Sequence, residues 1–188
     1  MAHEFWVAPE SYTIAKTDSL NADLRNGQFF AGATIPYISG AIEKFEVIAG
    51  DNILPVRGRL GDRPALKGLS VPEGLAIVVF ESTDSRLNYD SWEKFAAFVE
   101  HKDLKGTIEA HRARGLPETN FDENYRRFSK ALVAVGDGRG ADRQVALLAE
   151  IVAGANPYTA DVRDGMPLQV FYGGDPTADV PSELFQRA

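Results

Sequence analysis

The chain contains no cysteine. A disulfide framework, a thiolate nucleophile and a cysteine-ligated zinc site are excluded by that fact alone. The chain also lacks an excess of positive charge. Lys and Arg number 20 against 27 Asp and Glu, for a formal net charge of -7. No basic stripe runs along any segment, which argues against nucleic acid as a partner. No apolar run approaches the about 20 residues that a membrane-spanning helix needs, and the opening residues lack the basic and apolar regions of a signal peptide. Histidine is scarce, at three residues, and their spacing matches no compact metal-ligand motif. The glycine-rich "GDGRGAD" lacks the following Lys-Ser or Lys-Thr of a phosphate loop. No serine stands in a recognisable nucleophile elbow. No catalytic residue is assigned, and the expectation is a protein that is not an enzyme.

What is present reads mainly as β structure. The 188 residues are 44% hydrophobic and 25% charged, enough to bury a sizeable core. In "SLNADLRNG", Leu20, Ala22 and Leu24 alternate with polar neighbours, and Asn26-Gly27 is a turn signal. "AIEKFEVIAGDN" places Phe45, Val47 and Ala49 on one face. "ILPVRGRLGD" predicts an edge strand, because Pro55 removes a ladder donor. "GLAIVVFEST" is apolar without alternation and predicts a strand buried on both faces.

The period then changes. Ser91 is an N-cap candidate for "SWEKFAAFVEHK", with Trp92, Phe95, Ala96 and Val99 at helical spacing. "LKGTIEAHRARG" predicts a second helix ending at Gly115. In "ENYRRFSKALVAV", Tyr125, Phe128, Leu132 and Val135 fit a third helix capped by Asp122, with Glu123 and Arg127 as a helix-stabilising pair; Arg126 and Arg127 form either an anion or carboxylate clamp or, with Lys130, part of a solvated helix face. The fold class expected is a β-sandwich with a helical insertion over about residues 91–135. "QVALLAEIVAGANP" returns to strand character, and "MPLQVFYGGDPTADVPSELFQRA" predicts two strands around a Gly-Gly-Asp-Pro turn. The domain reading is residues 1–160 as the sandwich and 161–188 as a hairpin that opens a second β module.

His3 is the histidine with most chemistry open to it. With Met1 retained, the amine, two amides and the imidazole form a square-planar set suited to copper or nickel. With Ala2 as the residue before a cleavage point, His3 would begin the mature chain and chelate through amine and imidazole together. A strand residue beside Phe5 and Trp6 is the structural alternative. Glu4 is a further oxygen ligand candidate. His101 and His111 are weaker ligand candidates, since a helix-terminal histidine commonly serves the helix end.

Several stretches together resemble a known family: "AHEFWVAPESYTI", "SWEKFAAFVEHKDL", "HRARGLP", "ENYRRFSKALVAVG", "EIVAGANPY" and "MPLQVFYGGDP". The chain is similar to a bacterial family of domains of unknown function (DUF) linked to the periplasmic component of ABC-type cobalt and nickel transport systems. The resemblance implies an exported, periplasmic protein whose mature chain starts near His3. It also implies an immunoglobulin- or transthyretin-like β region toward the C-terminus, in which the last hairpin runs on into further strands that this sequence lacks. Nickel or cobalt is the implied cargo, and membrane transporter subunits are the implied partners. Another class stays open: a non-catalytic envelope interaction module, using aromatics such as Tyr37, Tyr158 and Tyr172. A homodimer formed through an exposed strand edge is a further expectation.

Overall fold

The computed structural model describes residues 4–186. In chain order the strands are β1 Glu4–Pro9, β2 Thr13–Ile14, β3 Ser19–Gln28, β4 Ala31–Ile35, β5 Ile42–Ala49, β6 Asn52–Pro55, β7 Leu66–Ser70, β8 Gly74–Ser82 and β9 Ser85–Tyr89. Helices α1 Trp92–His101 and α2 Thr107–Ala113 follow, then β10 Phe121–Tyr125, β11 Phe128–Val135, β12 Ala149–Ala153, β13 Leu168–Tyr172 and β14 Asp175–Pro176. Compactness divides the described chain into a larger unit of residues 4–83 and 127–180 and a smaller one that includes residues 84–126.

The larger unit is a β-sandwich. One sheet runs β1-β3-β4, with β7 also on β3, and the other runs β2-β11-β8-β5-β6. Their inner faces share one core, in which Leu20, Ala22 and Leu24 of β3 meet Val47 of β5, Val78 of β8 and Val133 of β11. Alternation places these side chains on one face of each strand, as a period of two requires. Burying a leucine such as Leu20, which is fully covered, contributes about 2 kcal/mol.

Strand β8 lies between β5 and β11, antiparallel to both. Its unbroken apolar run is explained by the second face of its sheet. Ile48, Ile77 and Val79 point away from the sandwich interior and are covered by Val145 and Leu147. The segment carrying these last two residues is irregular, and only Ala149–Ala153 of "QVALLAEIVAGANP" forms a strand. Strand β6 pairs with β5 alone, which makes it the edge that Pro55 permits.

The helical insertion is shorter than its expected bounds. Phe121–Tyr125 and Phe128–Val135 are strands, so the third helix expected there is corrected. Tyr125, Phe128 and Leu132 fit a helical stripe, yet Ala131, Val133 and Val135 also alternate, and they fill the core. A strand as apolar as β8 needs a ladder on each side to satisfy its backbone, and β11 supplies the second one.

Residues 168–172 pair with Ala149–Ala153, so the sheet β12-β13-β14 spans the 160/161 boundary. Gly173 and Gly174, both at positive φ, turn the chain between β13 and β14.

In the smaller unit, β9 and β10 form an antiparallel ribbon. Tyr89, Phe95 and Val99 form the buried hydrophobic cluster of this unit, with Trp92, Phe98, Ile108 and Phe121 packed around them. Tyr89 stacks on Phe121 at 5.3 Å, and Phe95 meets Phe121 edge-on at 5.1 Å. Ser91 stands at the N-cap of α1 without a side-chain cap bond.

Candidate functional site

The hairpin end of the first sheet breaks several local rules at once. Strand β3 continues through Asn26-Gly27, so the expected turn there is corrected: it falls three residues later, at Phe29-Phe30. Gln28 pairs with Ala31, which leaves a two-residue turn. Phe29 and Phe30 have φ of 51° and 62°, the left-handed values of a type I′ turn, where Asn and Gly are the usual residues. Holding such residues there costs about 1–3 kcal/mol each. Phe29 is nevertheless 71% exposed, so the core gains little from it.

Strand β1 is bound to this end. Glu4 pairs with Gly27, and the Glu4 Oε2 accepts the backbone N–H of Phe29 at 3.2 Å. Gly27 faces Gly32 across the hairpin, where a Cβ on Gly27 would collide with the Ala31 carbonyl and one on Gly32 with the Asn26 carbonyl. Only glycine lets the two backbones approach so closely.

One position further inward, Asn26 lies between Phe5 of β1 and Ala33 of β4. It follows Leu20, Ala22 and Leu24 on the inward face. Among the described residues its buried Oδ1 has no hydrogen-bond partner, a condition that costs about 1–3 kcal/mol. Phe5 packs on Phe80 at 4.8 Å, and the Arg127 guanidinium stands 5.8 Å from the Phe5 ring centre. Left-handed aromatics and an unsatisfied amide oxygen are features that folding alone does not favour. Such features concentrate at functional sites.

The residues picked from sequence are placed as follows. His3 lies outside the described residues. Glu4 begins β1 with one carboxylate oxygen on the Phe29 amide. His101 ends α1 and is exposed. His111 is buried in the smaller unit, 4.5 Å from the Phe121 ring and 5.2 Å from Trp92, with its Nε2 2.9 Å from the Pro117 carbonyl. A ring nitrogen beside a carbonyl oxygen donates, so this Nε2 is occupied in a structural bond. Among the described residues no group of three or more His, Asp and Glu could hold a metal ion.

Tyr37 packs partly buried against the core. Tyr158 donates its hydroxyl to the Leu132 carbonyl at 2.6 Å, and Tyr172 is 61% exposed. Burial, with the nearby Tyr12 as a lesser cause, pushes the Tyr158 hydroxyl up to about 12. Tyr89 is pushed well above the ordinary tyrosine range by burial and by its 2.8 Å bond to Glu123 Oε2. Glu123 therefore anchors a buried phenol, in contrast to the helix-surface pair expected of it. In the same unit Arg126 pairs with Asp84, holding that exposed carboxyl below the usual range.

In the sequence Asn26 reads only as half of a turn signal, and Phe29 and Phe30 carry no assigned role. An Asn-Gly followed by two aromatics between two short strands was the available signal.

A family model described as a domain of unknown function, DUF4198, matches residues 1–188. No curated protein and no solved structure matches the chain.

Proposed function

The chain belongs to the DUF4198 family, and from that premise we propose that it is a non-catalytic periplasmic binding protein for a divalent transition metal. Nickel or cobalt would be its cargo, captured at the head of β1 and passed to membrane transporter subunits. The observation that carries this reading is the anchoring of Glu4. Its carboxylate is held by the Phe29 amide at 3.2 Å, and the residue before it in sequence is His3. An imidazole and a carboxylate adjacent in sequence supply nitrogen and oxygen donors suited to nickel, cobalt or copper. If His3 is the first residue of the processed chain, its amine adds a third donor, and chelation by one residue strengthens the site.

The test is calorimetric titration of nickel, cobalt and copper into three proteins: one beginning at His3, one carrying Met1-Ala2, and a His3→Ala variant. Tight binding in the first and its loss in the third supports the reading. Equal weak binding in all three overturns it.

A second reading is favoured by one observation. Phe29 and Phe30 present exposed aromatic surface on a strained turn, the pattern of an interface anchor. In that reading the protein is an envelope interaction module and metal is irrelevant. Retention of an envelope partner by the native protein, its loss on changing the two phenylalanines, and indifference to chelator would favour it.

A further inference from the structure

Lys130 of β11 is set among buried carboxylates, and the groups around it go beyond what an ion pair needs. Side-chain exposure is 9% for Lys130, 3% for Asp142 and 1% for Glu150. The Lys130 Nζ lies 2.8 Å from Asp142 Oδ1 and 3.6 Å from Glu150 Oε2. It also donates to the carbonyls of Arg143 at 2.9 Å and Ile151 at 3.2 Å, which orient the amine. Backbone amides hold the carboxylates in turn. Arg143 N–H donates to Asp142 Oδ1 at 2.8 Å and Ala153 N–H to Asp142 Oδ2 at 2.8 Å. Val145 N–H donates to both oxygens of Glu150.

We propose that this cluster forms an intramolecular amide bond between Lys130 Nζ and Asp142 Cγ, with Glu150 carrying protons. A nitrogen hydrogen-bonded to one carboxylate oxygen stands just beyond the about 3–3.5 Å from which attack on the carboxyl carbon proceeds, a gap that a small side-chain rotation closes. The ammonium first gives a proton to Asp142 Oδ1 along their 2.8 Å contact, leaving a neutral amine and a neutral acid. The Nζ lone pair then attacks Cγ. The C–N bond forms, and negative charge develops on Oδ2, which faces the Ala153 N–H as an oxyanion donor. Glu150 takes the second proton from Nζ and delivers it to the Oδ1 hydroxyl, which departs as water while the carbonyl to Oδ2 re-forms. Nζ keeps one hydrogen. Three protons and one oxygen are thus accounted for, Glu150 is regenerated, and no oxidant, reductant or co-reactant enters.

The bond would fasten β11 to the segment that covers the outer face of its sheet. That segment has no ladder of its own over residues 142–148, and Val145 and Leu147 hold it by apolar packing. A covalent tie there resists local opening and proteolysis, properties of value outside the cytoplasm. The inference does not depend on metal binding.

The experiment is intact-mass spectrometry of the purified full chain, followed by peptide mapping. The wild-type mass is expected to fall short of the sequence mass by one water, with a branched peptide joining Lys130 to Asp142. Lys130→Arg and Asp142→Ala are expected at full mass, and Glu150→Gln is expected to remain unlinked or to link far more slowly. A wild-type protein at full mass after prolonged incubation at physiological temperature, yielding an unmodified Lys130 peptide, would overturn the proposal. Linkage of Lys130 to Glu150 would overturn the assignment to Asp142, and linkage at wild-type rate in Glu150→Gln would overturn its proton-carrying role. The decisive measurement needs no variant, so a substitution that fails to fold leaves the test intact.

Discussion

The Glu4 carboxylate accepts the Phe29 backbone N–H at 3.2 Å, tying the first described strand to the tip of a hairpin that begins in the next element but one. The bond links residues 25 apart and satisfies an amide that a two-residue turn would otherwise leave to solvent. It also fixes one end of β1, whose other contacts run along the Glu4–Pro9 ladder and through Val7 N–H to Ser129 Oγ at 3.0 Å.

The left-handed angles of Phe29 and Phe30 make a first prediction. Replacing the pair with Asn-Gly, the combination that a type I′ turn favours, is expected to raise unfolding free energy by about 1–2 kcal/mol. Urea denaturation of the two proteins checks it. A gain in stability accompanied by loss of partner or metal binding would mark the wild-type turn as selected for recognition. A loss of stability would show that the two rings contribute packing that outweighs their backbone cost.

Most of the sandwich was legible from periodicity. Leu20, Ala22 and Leu24, the run of β8 and the edge proline of β6 each carried a direct physical signal, because sheet position dictates which faces are buried. The segment from Tyr125 to Val135 did not, since its apolar residues satisfy periods of both 3.6 and 2. Pairing with β8 decided the outcome, and that is a long-range fact. Lys130 was misread for the same reason: on a helix it belongs to a charged face, and on β11 it points at Asp142. Glu150 carried a readable signal, a single carboxylate inside the apolar "LLAEIVA", where a charge is retained only with partners. The hairpin-end site was half legible. Glu4 was found by its neighbour in sequence, whereas Asn26 and the phenylalanines are unusual only in their backbone angles and burial.

Core position sets the second prediction. Leu66 of β7 is fully buried against β3, and Leu184 is 91% exposed. Leu66→Ala is expected to cost about 3 kcal/mol through lost burial and a residual cavity, and Leu184→Ala within about 0.5 kcal/mol. Paired denaturation curves with unchanged slopes test both. Equal effects would place Leu66 outside the core.

The histidines make a third. His111→Ala removes a ring packed among Trp92, Phe95 and Phe121, together with the bond to Pro117, and is expected to cost about 3 kcal/mol. His101→Ala, at an exposed helix end, is expected to stay within about 0.5 kcal/mol. Neither is expected to alter nickel affinity, whereas His3→Ala is. Calorimetry on the folded variants checks this, and a weakened nickel isotherm in His101→Ala would move the proposed site away from β1.

The alkaline limb of stability tests the Tyr158 assignment. Its hydroxyl titrates near 10.0 when free and is raised to about 12 in the folded chain. Between those values the unfolded state loses the proton while the folded state keeps it, so the unfolded form binds fewer protons and stability falls as pH rises. The contribution of Tyr158 is therefore fully present below about pH 10 and is lost as pH climbs through 12. Tyr89, raised by burial and by Glu123, adds to the same slope. Tyr158→Phe keeps the ring, removes the 2.6 Å bond to the Leu132 carbonyl, and leaves that acceptor in a half-buried site. The variant is expected to melt lower than wild type at neutral pH, and the gap is expected to narrow as pH passes 10. Thermal melts from neutral to strongly alkaline pH, read beside tyrosinate absorbance, measure both effects. A gap that stays constant across that range would mean the Tyr158 hydroxyl titrates alike in both states, and that burial does not hold its proton more tightly than water does.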